Sequence, residues 1–219
     1  MDALVMCGGE GRRLAASVDR ATPDGRIEKP LFEVAGAPMI DRVLAALDDS
    51  GVGAVHAAVS PATPATREHL AGRVNVIETP GEGYVADLAS ALDTVGAPAL
   101  TVAADLPLLG ADLVDAALAA HDRGALTVCV PAELKRRLGV GVDATFDPAE
   151  LDAEIAGVRP AGAPDDVEDR RPAEFAPTGL NVATDDETTC TDIMYLSYDA
   201  RLAVNVNRKR DAEIAEALL

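Results

Sequence analysis

Leu4-Val5-Met6-Cys7-Gly8-Gly9-Glu10-Gly11-Arg12-Arg13-Leu14 is the stretch on which the fold turns. Its first three residues form a short apolar run suited to a buried strand, and three glycines in four positions follow at once. Without Cβ atoms, Gly8, Gly9 and Gly11 let backbone N–H groups approach phosphate closely. Arg12 and Arg13 can grip phosphate oxygens in forked geometry. The carboxyl end of a strand is where open α/β sheets bind ligands, although a glycine turn that merely closes a strand would read the same way. The spacing matches neither the P-loop, G-x-x-x-x-G-K-[ST], nor the dinucleotide fingerprint, because Leu14 stands where the third glycine should be.

Outward from this loop, short apolar runs alternate with helix-length segments. Ala54 to Val59, Val74 to Ile77, Ala99 to Ala104 and Leu126 to Val130 read as strands. Pro38 to Leu47 reads as a helix, with Pro38 in its first turn and Ile40, Val43, Leu44 and Leu47 at helical spacing. Val85 to Val95 and Leu113 to Ala120 are further helices. Such alternation implies right-handed β-α-β units and a mainly parallel sheet covered on both faces. The pattern breaks between about 146 and 177, a Pro-, Ala- and acid-rich insertion expected to hold some helix near Ala149 to Ile155 and then mobile loop. Beyond it, strands are expected at Leu180 to Ala183 and Ala203 to Asn207, then a terminal helix from Arg208 to Leu219.

Composition narrows the class. With 219 residues, one domain spanning 1–219 is expected, at ~100–200 residues per domain. A formal charge of −18 argues against general binding of nucleic acid or anionic membrane, which needs a basic face. Only 3% of residues are aromatic, so Ala, Val and Leu must build the core. The 37 acids face 16 Arg and only 3 Lys, a surface that stays solvated when salt shortens the screening length to ~3 Å at 1 M, and we read it as salt-adapted, or halophilic. Cys7, Cys129 and Cys190 form no C-x-x-C pair, which supports neither a disulfide framework nor a cysteine zinc site. No run reaches the ~18 apolar residues of a membrane span and no signal-peptide pattern stands at Met1 to Met6, so the cytoplasm is the expected location. His56, His69 and His121 fit no metal spacing and suit structural or solvated roles.

Two further elements carry chemistry. Lys29 precedes Pro30, which biases it toward extended backbone; taken alone it is equally an ordinary surface lysine. Asp105 closes the apolar run Leu100-Thr101-Val102-Ala103-Ala104 and so points from the carboxyl edge of the sheet, where it would otherwise serve as a helix cap.

Together, G-G-x-G-x-R-L and the later K-P resemble the nucleotidyltransferases with a Rossmann-like fold. This resemblance implies a three-layer α/β architecture in which Gly8, Gly9, Gly11, Arg12 and Arg13 hold nucleotide phosphates and Lys29 neutralises the reacting phosphate. It further implies that Asp105, in its D-x-P setting, binds Mg²⁺ with Asn207 as second ligand, although Asn207 equally suits the cap of the last helix. Cys7 replaces the usual alanine and is given no catalytic role. Gly81-Glu82-Gly83-Tyr84-Val85-Ala86-Asp87-Leu88 is similar to the G-x-G-Y-x-x-D-L stretch of archaeal guanylyltransferases acting on adenosylcobinamide phosphate. Pro177-Thr178-Gly179-Leu180-Asn181-Val182 is similar to their P-A-G-I-N-V, with Thr178 in place of alanine. That subfamily implies GTP and adenosylcobinamide phosphate as substrates, with Gly83, Asp87 and Gly179 shaping the base or ribose site. Molybdopterin or another phosphate as acceptor, a nucleotide-sensing module without turnover, and a homodimer all remain open from the sequence.

Overall fold

Residues 1–18, 27–147, 153–157, 173–184 and 192–219 are described in the computed structural model of the chain. The apolar run after the first residues forms β1 (Ala3–Met6), which lies in the sheet interior between β4 (Val55–Val59) and β6 (Ala99–Ala103), parallel to both. Because successive side chains of a strand face opposite ways, β1 splits its residues between two layers. Ala3 and Val5 pack with Ile40, Val43, Leu44 and Leu47 of α2 (Met39–Asp48) and with Leu113, Val114 and Ala117 of α5 (Ala111–Ala120). Leu4 and Met6 pack with Ala91, Leu88, Leu92 and Val95 of α4 (Tyr84–Val95). Helices on both faces of one sheet give the expected three-layer α/β fold.

Among the described residues, eight strands form that sheet, in the order β5-β4-β1-β6-β9-β7-β10-β8, where β5 is Asn75–Glu78, β7 Leu126–Pro131, β8 Ala153–Gly157, β9 Phe175–Ala183 and β10 Asp192–Leu196. Every neighbouring pair is parallel except the two that β9 makes with β6 and β7. Short helices α1 (Arg12–Ala15), α3 (Pro64–Leu70) and α6 (Ala132–Leu138), a two-stranded ribbon of β2 (Glu33–Val34) and β3 (Ala37–Pro38), and the terminal α7 (Lys209–Leu218) complete the described elements.

Two expectations are corrected. The helix expected near Ala149 to Ile155 gives way to β8, which starts at Ala153 and finds its ladder on β10; residues 148–152 lie outside the described residues. The strand expected at Ala203 to Asn207 is not one. Ala200–Ala203 form a 3-10 turn, and the next residues run beside the end of β6, where Val206 N–H donates to the Asp105 carbonyl at 3.0 Å. The alternation that suggested a strand is real, since Val204 and Val206 are buried in a cluster with Leu14, Met39 and Leu108, but no ladder accompanies it. The expected mobile loop falls mostly on 158–172, outside the described residues. The ends of the insertion do meet: Phe146 and Phe175 form a β-bridge and an edge-to-face ring pair with centroids 5.9 Å apart.

Candidate active site

Three loops at the carboxyl ends of β1, β4 and β6 converge. After β1, Cys7 is buried, and burial pushes its thiol up to about 12, so it packs as a small apolar residue. The Gly8 carbonyl accepts from Ser60 Oγ at 2.9 Å. A Cβ on Gly8 would stand 3.2 Å from Ser60 Cβ and 3.4 Å from Asp87 Oδ2, so only glycine fits easily. Gly11 caps α1 in the left-handed region, where a Cβ would lie 2.1 Å from the Ile27 carbonyl oxygen. Asp87 is buried, and its Oδ1 accepts from Gly81 N–H at 2.7 Å, tying the start of α4 to the loop ahead of it.

Lys29 lies in a single 3-10 turn (Lys29–Leu31) anchored by its neighbour. The Glu28 carboxylate accepts from Ala65 N–H (2.9 Å), Thr66 N–H (2.6 Å) and Thr66 Oγ1 (2.8 Å), satisfying donors at the start of α3 that no residue of α3 can reach. From this anchored turn the Lys29 ammonium pairs with Asp105 Oδ2 and donates to Asn207 Oδ1 at 2.6 Å. Arg13 donates to the same Asn207 oxygen at 3.2 Å and pairs with Asp143 at 2.6 Å. The loop arginine, the lysine, the aspartate and the asparagine singled out in the sequence therefore form one contact cluster.

The cluster stands between two clefts. One, about 690 Å³, is lined by Gly8, Gly9, Ser60, Gly83, Tyr84 and Asp87 among others. The second, about 380 Å³, is lined by Arg13, Lys135, Asp143, Gly179, Asn181 and Asn207 among others. Lys29, Asp105, Ala103 and Tyr84 line both. Gly179 sits in a bulge of β9, where the register slips between Thr127 and Cys129 of β7. Its φ is +88°, and a Cβ there would come within 2.8 Å of Ala103 Cβ. Arg12 is not gathered in: it is exposed, pairs with Glu10 and lines neither cleft. The three histidines line neither cleft; His69 pairs with Asp41 at 2.7 Å and His121 bonds the Gly124 carbonyl at 2.9 Å.

Sequence reasoning missed Lys135, Asn205, Asp143 and Ser60. For Asn205 a signal existed, since the N-x-N spacing of Asn205 and Asn207 puts both on one side of an extended segment. Among the described residues, no group of three or more His, Cys, Asp and Glu could hold a metal ion by itself. Asp105 and Asn207 nonetheless offer hard oxygens that already share one cation, the Lys29 ammonium. That donor set fits an ion such as Mg²⁺, which takes one or two protein oxygens and completes its shell with phosphate and water.

A glycine loop, a lysine, an arginine and an aspartate thus meet at the junction of two clefts, and the family to which the chain belongs defines the class: this is a nucleotidyltransferase. Residues 3–207 match the MobA-like NTP transferase domain, and the chain belongs to that family. It is 33% identical to the adenosylcobinamide-phosphate guanylyltransferase of Methanocaldococcus jannaschii over 147 residues, 61% of this chain and 70% of that protein. Among solved structures, a nucleotidyl transferase from Methanothermobacter superposes with a TM-score of 0.63 at 15% identity, covering 99% of this chain and 96% of that one. CMP:2-keto-3-deoxy-manno-octonic acid synthetase, complexed with CTP, gives 0.59 at 15% identity, covering 99% and 97%. A hypothetical transferase from Thermus thermophilus gives 0.54 at 20%; this chain is covered to 84% and spans 64% of that one. At these identities the structural likenesses establish the fold. No helix among the described residues is long and apolar enough to cross a membrane.

Proposed function

We propose that the enzyme transfers GMP from GTP to adenosylcobinamide phosphate, giving adenosylcobinamide-GDP and pyrophosphate in cobalamin assembly. The observation that carries this reading is the pair of clefts meeting at Lys29 and Asp105, one lined by the glycine loop and the other by Arg13, Lys135 and the asparagines. The named relative supports the choice of base and acceptor.

In this reading GTP occupies the glycine-lined cleft, with its phosphates on the Gly8 and Gly9 amides, and the acceptor phosphate enters the second cleft. An acceptor phosphate oxygen attacks the α-phosphorus, the bond to the β-phosphate oxygen breaks, and pyrophosphate leaves with its electron pair. The nucleophile is already an anion, so no general base is needed. The task is to hold two polyanions together and spread the developing charge. Lys29 serves this role at the junction, and Arg13 approaches from the loop. Asp105 and Asn207 would hold Mg²⁺, which supplies charge neutralisation at the phosphates when bound. Gly83 and Asp87 shape the wall of the nucleotide cleft, and Gly179 that of the acceptor cleft.

Pyrophosphate release tests the reading, with GTP, CTP or ATP against adenosylcobinamide phosphate and molybdopterin. Release with GTP and adenosylcobinamide phosphate alone is expected. Release only with molybdopterin would reassign the acceptor, and tight GTP binding without release for either would leave a nucleotide-sensing module.

A further inference from the structure

Lys135 lies on the inward face of α6, where Ala132 and Lys135 are both buried and Leu138 packs against the core. Spacing of i, i+3 and i+6 marks the apolar stripe of a helix, and a leucine would suit the middle position. Instead the stripe carries one of the three lysines in the chain, only 4% exposed. A buried ammonium gains the fold little, because the loss of hydration offsets much of the attraction to nearby acids. Burial indeed pulls its pKa down, while Asp105, Asp143 and Asp211 pull it back up.

The Lys135 ammonium donates to Asn205 Oδ1 at 2.7 Å. Asn205 Nδ2 in turn donates to Asp105 Oδ1 at 3.1 Å and to the Thr178 carbonyl at 2.7 Å. These contacts define the amide completely. Reversed, it would turn its carbonyl oxygen onto two acceptors and its NH₂ onto an ammonium. With Asp105 Oδ1 committed to Asn205, Oδ2 is left toward the junction of the clefts, where Lys29 now meets it.

We propose that Lys135 is a positioning residue: it sets the Asn205 amide, and Asn205 holds the Asp105 carboxylate in the orientation that receives the cation of nucleotidyl transfer. This rests on the reading of Asp105 as the cation-holding carboxylate. Partners behind a metal ligand are worth roughly 10- to 100-fold in metal affinity or activity.

Mn²⁺ titration followed by electron paramagnetic resonance, with GTP present and no acceptor, tests this without turnover. Lys135→Met, folded by circular dichroism and melting, is expected to weaken Mn²⁺ binding by about 10-fold or more, with the loss in turnover falling on kcat rather than on the KM for GTP. Lys135→Arg, which keeps a cationic donor, is expected to recover most of the affinity. Asn205→Ala should reproduce the loss, and adding Lys135→Met to it should cost no more, because the two act in series. A folded Lys135→Met protein with wild-type Mn²⁺ affinity overturns the proposal, as does additivity in the double variant. Should Lys135→Met fail to fold, a folded Asn205→Ala protein with unchanged affinity overturns it equally. Wild-type protein that binds no Mn²⁺ with GTP overturns the parent reading as well, which separates the two failures.

Discussion

Lys29 is ion-paired with Asp105 across 76 residues of chain, and both side chains are largely withdrawn from solvent. The pair closes the floor where the two clefts meet, so each partner is positioned by the other before any ligand arrives. Removing the carboxylate leaves the ammonium on Asn207 and strips the junction of the acid that faces both clefts. Asp105→Ala is therefore expected to keep its fold and to lose turnover by on the order of 100- to 1,000-fold, the scale of a lost group that stabilises transition-state charge. Pyrophosphate release beside thermal melting checks it; near-normal activity would contradict the role.

Gly9 and Gly11 stand two residues apart yet answer to different demands. Gly11 has φ +60° and no room for a Cβ beside the Ile27 carbonyl, whereas a Cβ on Gly9 meets nothing within 4 Å. Gly11→Ala is expected to lower the melting temperature and to weaken GTP together, since a left-handed alanine alone costs about 1–2 kcal/mol. Gly9→Ala is expected to melt like wild type while binding GTP less tightly, because the added methyl occupies only the space a phosphate would take. Unchanged GTP affinity in Gly9→Ala would remove that glycine from the nucleotide site.

The net charge of −18 sets up self-repulsion that the described ion pairs cannot cancel, with 37 acids against 19 Lys and Arg. Salt shortens the screening length from ~10 Å at 0.1 M to ~3 Å at 1 M, and weakens repulsion over the whole surface. Melting temperature is expected to rise steadily with KCl from dilute buffer upward. A flat or falling curve would dismiss salt adaptation. In the proposed reaction the polyanionic substrates do not conflict with this charge, since the cations nearest the junction of the clefts are Arg13 and Lys29.

What could be read from the sequence was local. The buried runs of β1, β4, β6 and β7 and the periodic faces of α2, α4 and α5 declare themselves within a few residues. The loops after β1 and β6 bring Gly8 and Asp105 to one cleft with Lys29, and Asn207 accepts from Lys29 beside it. What stayed hidden depends on distant partners. β8 is a strand because β10 is beside it, and β9 runs antiparallel because it fills the gap between β6 and β7. Asn205 alternates like a strand residue but answers to Asp105 and Lys135, 100 and 70 residues away. Arg12 looks identical to Arg13 in sequence, and only the short turn of α1 sends one outward and the other to Asn207.

The segment bearing Asn205 and Asn207 is fastened by Arg201, which gives an acid-dependent outcome. Its guanidinium bonds Asp112 Oδ2 at 2.6 Å and Asp199 Oδ2 at 2.8 Å, joining the start of α5 to the turn that precedes the segment. The Arg201 hydrogen bonds hold both carboxyls below their ordinary range, against the opposing effect of partial burial. A carboxyl with a lower pKa folded than unfolded contributes stability that is complete above the unfolded value, ~3.9, and drains away as the pH falls through the folded one. Arg201→Met is expected to be less stable than wild type at neutral pH, with the gap narrowing below about pH 4 as both carboxyls protonate. Urea melts of the two proteins at several pH values would show it. A gap of constant size down to pH 2 would mean that Arg201 acts through packing, and that acid loosens the asparagine segment by another route.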